Sequence, residues 1–343
     1  MPLPKLPRSR GQAPAFVEKA VGKKGAAFAG LLFHMGYVLL ALVLLNVIPE
    51  DLQNYLFTPA GVVVVGTIFP IIESIRAVCT FGTDDDTIWL TYWLAHGSFS
   101  YATEFVDSIA ESNPLVKEHW YEFEFFFFLW LSLPVTDGAT LLYDLVTRPY
   151  LVPVLQPIKK KLEGKLTALV LTAVNAGHIY MIWFAFMMME EEAKRFIVIA
   201  AGTVYPLIAS LVAVATPKGS DDTFWLTYWS CHGILFLAMD YAENYIGEVP
   251  GFYSLLLCAT VYLMLPLFRG ADAVFRTVIA PLAGLEENLL LRDAALLREE
   301  LLEAVPESRR RDVCARAAAI FQEGQTRAIV QEEAGSNGKA KHQ

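Results

Sequence analysis

Apolar positions in this chain come in blocks, separated by short polar runs. The purest is "AAFAGLLFHMGYVLLALVLLNVI" at 26–48, which carries no formal charge. At 1.5 Å per residue its 23 residues cover roughly 30 Å of hydrocarbon. A comparable block occupies 166–189. Less pure blocks lie at 60–81, 88–106, 123–134, 196–216, 224–242 and 252–268. Several of these hold a charge or a proline, so re-entrant, hairpin or interfacial segments are expected among them. The pattern predicts an all-α integral membrane protein. The lead before residue 25 is basic and Pro-rich without a small-residue cleavage site, so the first block is expected to be retained.

The blocks repeat. Residues 66–97 align with 202–233 without a gap, with 18 of 32 positions identical. Pro70 matches Pro206, and "DDTIWLTYW" from Asp85 matches "DDTFWLTYW" from Asp221. After a four-residue deletion, "LPVTDGA" falls on "LPLFRGA" and Pro149 on Pro281. The expected organisation is a basic lead (1–24), a first membrane repeat (25–158), a second (159–282), and a tail (283–343). Each repeat holds four helical hairpin segments, and an even number puts both repeats in parallel orientation.

Charge sets the direction. Lysines and arginines gather in the lead, in the junction (Lys159, Lys160, Lys161, Lys165) and in the tail (Arg309, Arg310, Arg311), while the opposite loops are acidic. Short basic loops stay cytoplasmic, so both termini are expected in the cytosol. The segment "EEEAKR" at 190–195 is the exception, with two bases on the acidic side.

The repeated phrase looks like a helix start. Asp85, Asp86 and Thr87, and likewise Asp221, Asp222 and Thr223, suit the positive end of a helix. Trp89, Tyr92 and Trp93 follow at i, i+3 and i+4, matched by Trp225, Tyr228 and Trp229. These rings are expected at headgroup level, as an interfacial aromatic belt. His96 and Glu104, with counterparts His232 and Asp240, place polar groups inside apolar runs. Contacts between segments are the favoured reading over a proton path, a metal site or interfacial snorkelling. His96 and Glu104 lie about 12 Å apart along one helix, and zinc needs three or four converging ligands. Glu73 and Arg76 pair at i, i+3, but the second repeat has Ala209 and Val212 there.

Composition narrows the function. A net charge of −9 leaves no footprint for nucleic acid. The four cysteines show no metal or disulfide spacing, and three sit in apolar blocks, where buried thiols are expected. No nucleophile–base pair, phosphate loop or cofactor motif appears, so no enzyme, cofactor or metal is expected. In the tail, Leu290, Leu297, Leu301 and Val305 fall on one arc of an amphipathic helix that ends at Pro306. Its acidic polar face favours packing defects or a partner helix over anionic lipid.

"FPIIESIRAV", "DDTIWLTYW" and the close "GATLLYDLVTRPYL" resemble the receptor-expression-enhancing proteins, with their yeast and plant abscisic-acid-induced relatives. The resemblance covers 26–158 and 166–282. It implies a multi-pass endoplasmic-reticulum protein that shapes tubules through hairpins, self-association and an amphipathic helix. Its partners would be the lipid bilayer, further copies, and other reticulum-shaping or cargo proteins. Val212, Phe275 and Ala280 depart from the family pattern, and so does the duplication itself. Two copies are therefore expected to stand in for a homodimer. The alternatives are a trafficking adaptor acting through the tail, or a transporter or channel with parallel repeats.

Overall fold

The computed structural model describes residues 15–81, 83–110, 113–175, 178–215, 221–246, 251–265, 267–304 and 309. Among these, all regular structure is helical. The chain divides into two compact units, Met1–Glu286 and Glu287–Gln343. Both repeats lie in the first.

The main helices are α1 (Ala15–Val47), α2 (Pro59–Val78), α3 (Asp85–Ala110), α4 (Trp120–Ser132), α5 (Val152–Asn175), α6 (Ile179–Met187), α7 (Glu191–Ala215), α8 (Asp221–Ile246), α9 (Phe252–Met264) and α10 (Glu286–Ala304). Helices α2, α3 and α4 return as α7, α8 and α9. Among the described residues, α2 and α7 are the helices long and apolar enough to cross a membrane. Helices α4 and α9 are equally apolar in character but have only 13 residues each.

The block at 166–189, expected as one segment, is divided. Helix α5 ends at Asn175 and α6 begins at Ile179. His178 stands in a turn just before α6, and residues 176 and 177 lie outside the described residues.

Each repeat closes through a tight corner. Asp137 and Arg269 take up the left-handed backbone region at φ 46° and 48°, just before Gly138 and Gly270. Those glycines let the chain pass over Trp130 and Tyr262, whose rings a Cβ would strike. Helix α1 docks on α4, where the Tyr37 hydroxyl donates to the Phe126 carbonyl at 2.9 Å and Trp130 Nε1–H donates to His34 Nδ1 at 3.2 Å.

Cys79 and Cys231 are buried free thiols, as the apolar blocks led one to expect, but Cys258 is exposed. Its position on α9 faces outward because that short helix buries only one side. Cys314 lies outside the described residues. In the second unit, Leu290, Leu297 and Leu301 of α10 are exposed, and Val305 lies outside the described residues.

Candidate functional site

Proline decides where the duplicated motif makes its first contact. Pro70 and Pro206 are fully buried inside α2 and α7. Neither has an N–H, so the carbonyl four residues earlier loses its α-helical partner. That carbonyl belongs to Gly66 in one repeat and Gly202 in the other. The Tyr92 hydroxyl donates to Gly66 O at 2.7 Å, and the Tyr228 hydroxyl to Gly202 O at 2.5 Å. The tyrosines thus satisfy buried acceptors whose orphaning would cost about 1–3 kcal/mol each. One helical turn further, Trp93 Nε1–H donates to Ser74 Oγ, and Trp229 Nε1–H to Ser210 Oγ, both at 2.9 Å. Tyr and Trp together clamp α3 to α2 and α8 to α7.

The same face joins the two repeats. Thr87 Oγ1 donates to Asp222 Oδ2, and Thr223 Oγ1 donates to Asp86 Oδ2, each at 2.7 Å. The rings of Trp93 and Trp229 lie parallel, with centroids 6.5 Å apart and planes 7° from coplanar. A Cβ on Gly97 would come 3.1 Å from Leu207, and one on Gly233 would come 2.8 Å from Ile71. Leu207 and Ile71 are themselves counterparts. Every contact is exchanged for its mirror partner, as in a two-fold dimer interface.

This location corrects one expectation. Trp89, Tyr92, Trp93, Trp225, Tyr228 and Trp229 do not lie on an outer aromatic belt; all six rings are buried in protein. The i, i+3, i+4 face is as expected, but it looks onto the neighbouring helices. Periodicity finds a face without saying what covers it. Asp85 and Asp221 do begin α3 and α8. The hydroxyls of Thr87 and Thr223 reach across to the other repeat as well as standing in their own first turns.

The intramembrane polar residues separate into three groups. His96 stacks on Phe128, with ring centroids 4.8 Å apart. His232 is buried, 3.1 Å from the Tyr228 hydroxyl through Nδ1. Since Tyr228 spends its proton on Gly202, its oxygen accepts from His232 Nδ1–H. Asp240 is exposed near the far end of α8; the side chain of Glu104 lies outside the described residues. Glu73 and Arg76 form an ion pair at 2.5 Å on the outer side of α2. Arg195 stands out in the sequence only as an irregularity in the charge pattern. It meets Glu243 at 3.3 Å, tying the start of α7 to the end of α8. The misplaced base in "EEEAKR" was its signal.

The family described as "TB2/DP1, HVA22 family" matches twice, at residues 70–150 and 206–282. HVA22-like protein e of Arabidopsis thaliana is 34% identical over 76 residues, which are 22% of this chain and 66% of that protein. Protein YOP1 of Saccharomyces cerevisiae is 31% identical over 104 residues, 30% of this chain and 56% of its own. Receptor expression-enhancing protein 6 of Danio rerio is 36% identical over 91 residues, 25% of this chain and 40% of its own. The chain thus spans between 40% and 66% of the length of these relatives. No solved structure matches it. Both family matches include the proline, serine, tyrosine and tryptophan that clamp each helix pair, so each repeat carries a domain of the TB2/DP1, HVA22 family.

Proposed function

We propose that the protein is a non-enzymatic membrane-shaping scaffold of the endoplasmic reticulum. Its two hairpin repeats lie parallel, with both termini in the cytosol. The observation that carries this reading is the unequal length of successive helices, repeated in both halves. Helices α2 and α7, with 20 and 25 residues, measure about 30 and 37 Å. Helices α4 and α9, with 13 residues each, measure about 20 Å, against a hydrocarbon core of roughly 30 Å. A segment that stops short occupies one leaflet more than the other. Two such segments held on one body form a wedge.

The seam adds rigidity. Its contacts give one chain the pairing that a single-copy relative would need a second chain to make. Further self-association, and a tail helix lying at the membrane surface, complete the proposed device.

Reconstitution into large liposomes at rising protein density is the test. Narrow tubules or small vesicles are expected in electron micrographs. Vesicles that stay large and round at high density, with the protein inserted, would sink the proposal.

A further inference from the structure

A cavity of about 400 Å³ opens beside the seam. One face of each of four helices lines it: Val63 and Thr67 of α2, Trp93 to Ser100 of α3, Arg195 to Thr203 of α7, and Trp229 to Asp240 of α8. Its two ends differ. The inner end holds the buried pair Trp93 and Trp229, with His232 beside them. At the outer end stand Arg195 and Asp240, both exposed. From Trp229 to Asp240 is eleven residues of α8, or about 16 Å. The space is therefore a slot, apolar and aromatic along most of its length and charged at its mouth.

The two repeats contribute unequally. Most of the lining comes in matched pairs, such as Thr67 with Thr203 and Gly97 with Gly233. Where the second repeat places Phe236, the first has Ser100, whose hydroxyl turns back to the His96 carbonyl at 3.0 Å. The small side chain keeps the slot open on that side. The cation of the mouth also belongs to one repeat, since Pro59 stands where the other has Arg195.

We infer that this slot binds one phospholipid with an amine-bearing, zwitterionic headgroup, its acyl chain lying between the repeats. Charge complementarity selects the head. The Arg195 guanidinium engages Glu243 through Nε and has further N–H groups suited to a phosphate. Asp240 supplies the carboxylate for the ammonium. With Glu243 counted, the mouth carries one cation and two anions, which disfavours a headgroup of net negative charge. Size and lining suit the chain: the volume falls at the small end of ligand pockets, and the walls are mainly apolar. A membrane protein meets this ligand at high concentration from the side. The inference does not depend on membrane bending, and its test does not read curvature.

The full-length protein would be placed in bilayers of equal phosphatidylcholine, phosphatidylethanolamine and phosphatidylglycerol. A trace of phosphatidylethanolamine or phosphatidylglycerol with a photoreactive group in its acyl chain would be added, and labelled peptides mapped. The ethanolamine probe is expected to label the cavity faces of α7 and α8 more strongly than the glycerol probe. Ser100→Phe fills the slot, and labelling there should fall about tenfold, the equivalent of denying burial to two methylenes. Asp240→Asn is an exposed, nearly isosteric change. It should remove the preference between probes while leaving the labelled position unchanged. Equal labelling by the two probes in the unaltered protein, or labelling that Ser100→Phe leaves intact in a protein of unchanged helicity, overturns the inference.

Discussion

Helices α2 and α7 descend from one duplicated segment, and they now meet different surroundings. On α2, Glu73 and Arg76 form a surface ion pair, the arginine side chain being 61% exposed. On α7 the matching residues are Ala209 and Val212, at 0% and 8% exposure. The helix that connects the repeats, α5, packs on α7. The polypeptide leaving the first repeat runs into α5, and Val152 and Leu155, with Leu207 and Val214 of α7, pack against a buried cluster of Leu94, Tyr143 and Leu211. Tyr143, just ahead of α5, donates its hydroxyl to the Leu211 carbonyl at 3.3 Å. The face that holds Glu73 and Arg76 on one copy is thus open, and the matching face is buried on the other. That face is charged where it is exposed and apolar where it is buried, while Asp86, Thr87 and Trp93 of the seam recur as Asp222, Thr223 and Trp229.

The sharpest way to break this comparison is to put the first repeat's residue into the second. Ala209→Glu would bury a carboxylate at a site with no exposure. A loss of about 3 kcal/mol or more is expected, or failure to fold. Unfolding in mixed detergent micelles, followed by tryptophan fluorescence, gives the value. A loss under about 1 kcal/mol would mean that α7 is not covered as described.

At the seam the two repeats should behave alike. Trp93→Ala and Trp229→Ala each remove a buried ring and leave a serine hydroxyl without its donor. Each should cost about 3–5 kcal/mol. Because the rings face each other, the double variant should depart from additivity by about 0.5–3 kcal/mol. Additive losses would show that the seam does not couple the two halves.

Much of this architecture was legible in the sequence, but unevenly. The repeat, the helix starts and the amphipathic phase of "DDTIWLTYW" follow from identity and periodicity, because those properties are local. What covers the aromatic face is not local. Tryptophan and tyrosine suit a headgroup layer and a buried, hydrogen-bonded seam equally well. The sequence contained a clue: Gly66 and Pro70 four apart create a carbonyl that needs a donor, and the tyrosines supply one. The role of Arg195 depends on Glu243, 48 residues away, and no spacing rule connects them. The slot likewise required knowing that Ser100 and Phe236 occupy matching places.

The tyrosines allow a finer comparison. Tyr92→Phe and Tyr228→Phe both strand a glycine carbonyl, at an expected cost of about 1–3 kcal/mol. Tyr228 also accepts a hydrogen bond from His232 Nδ1–H, so its loss strands a second buried group. Tyr228→Phe should therefore cost more than Tyr92→Phe, by about 1 kcal/mol. Equal losses would mean that the contact with His232 contributes nothing.

The smallest effect completes the exchange begun with Ala209→Glu. Placing the second repeat's residues into the first, as Glu73→Ala with Arg76→Val, removes an exposed i, i+3 pair near the end of α2. Such pairs contribute about 0–1 kcal/mol, because water screens them and both side chains lose freedom in meeting. Stability should therefore change by no more than about 0.5 kcal/mol, in either direction. Measured beside Ala209→Glu, the same exchange is costly in one direction and nearly neutral in the other. That asymmetry is what exposure in one repeat and burial in the other requires. If the double variant in α2 instead loses several kcal/mol, the pair is not a surface feature, and the divergence of the repeats needs another cause than the covering of α7.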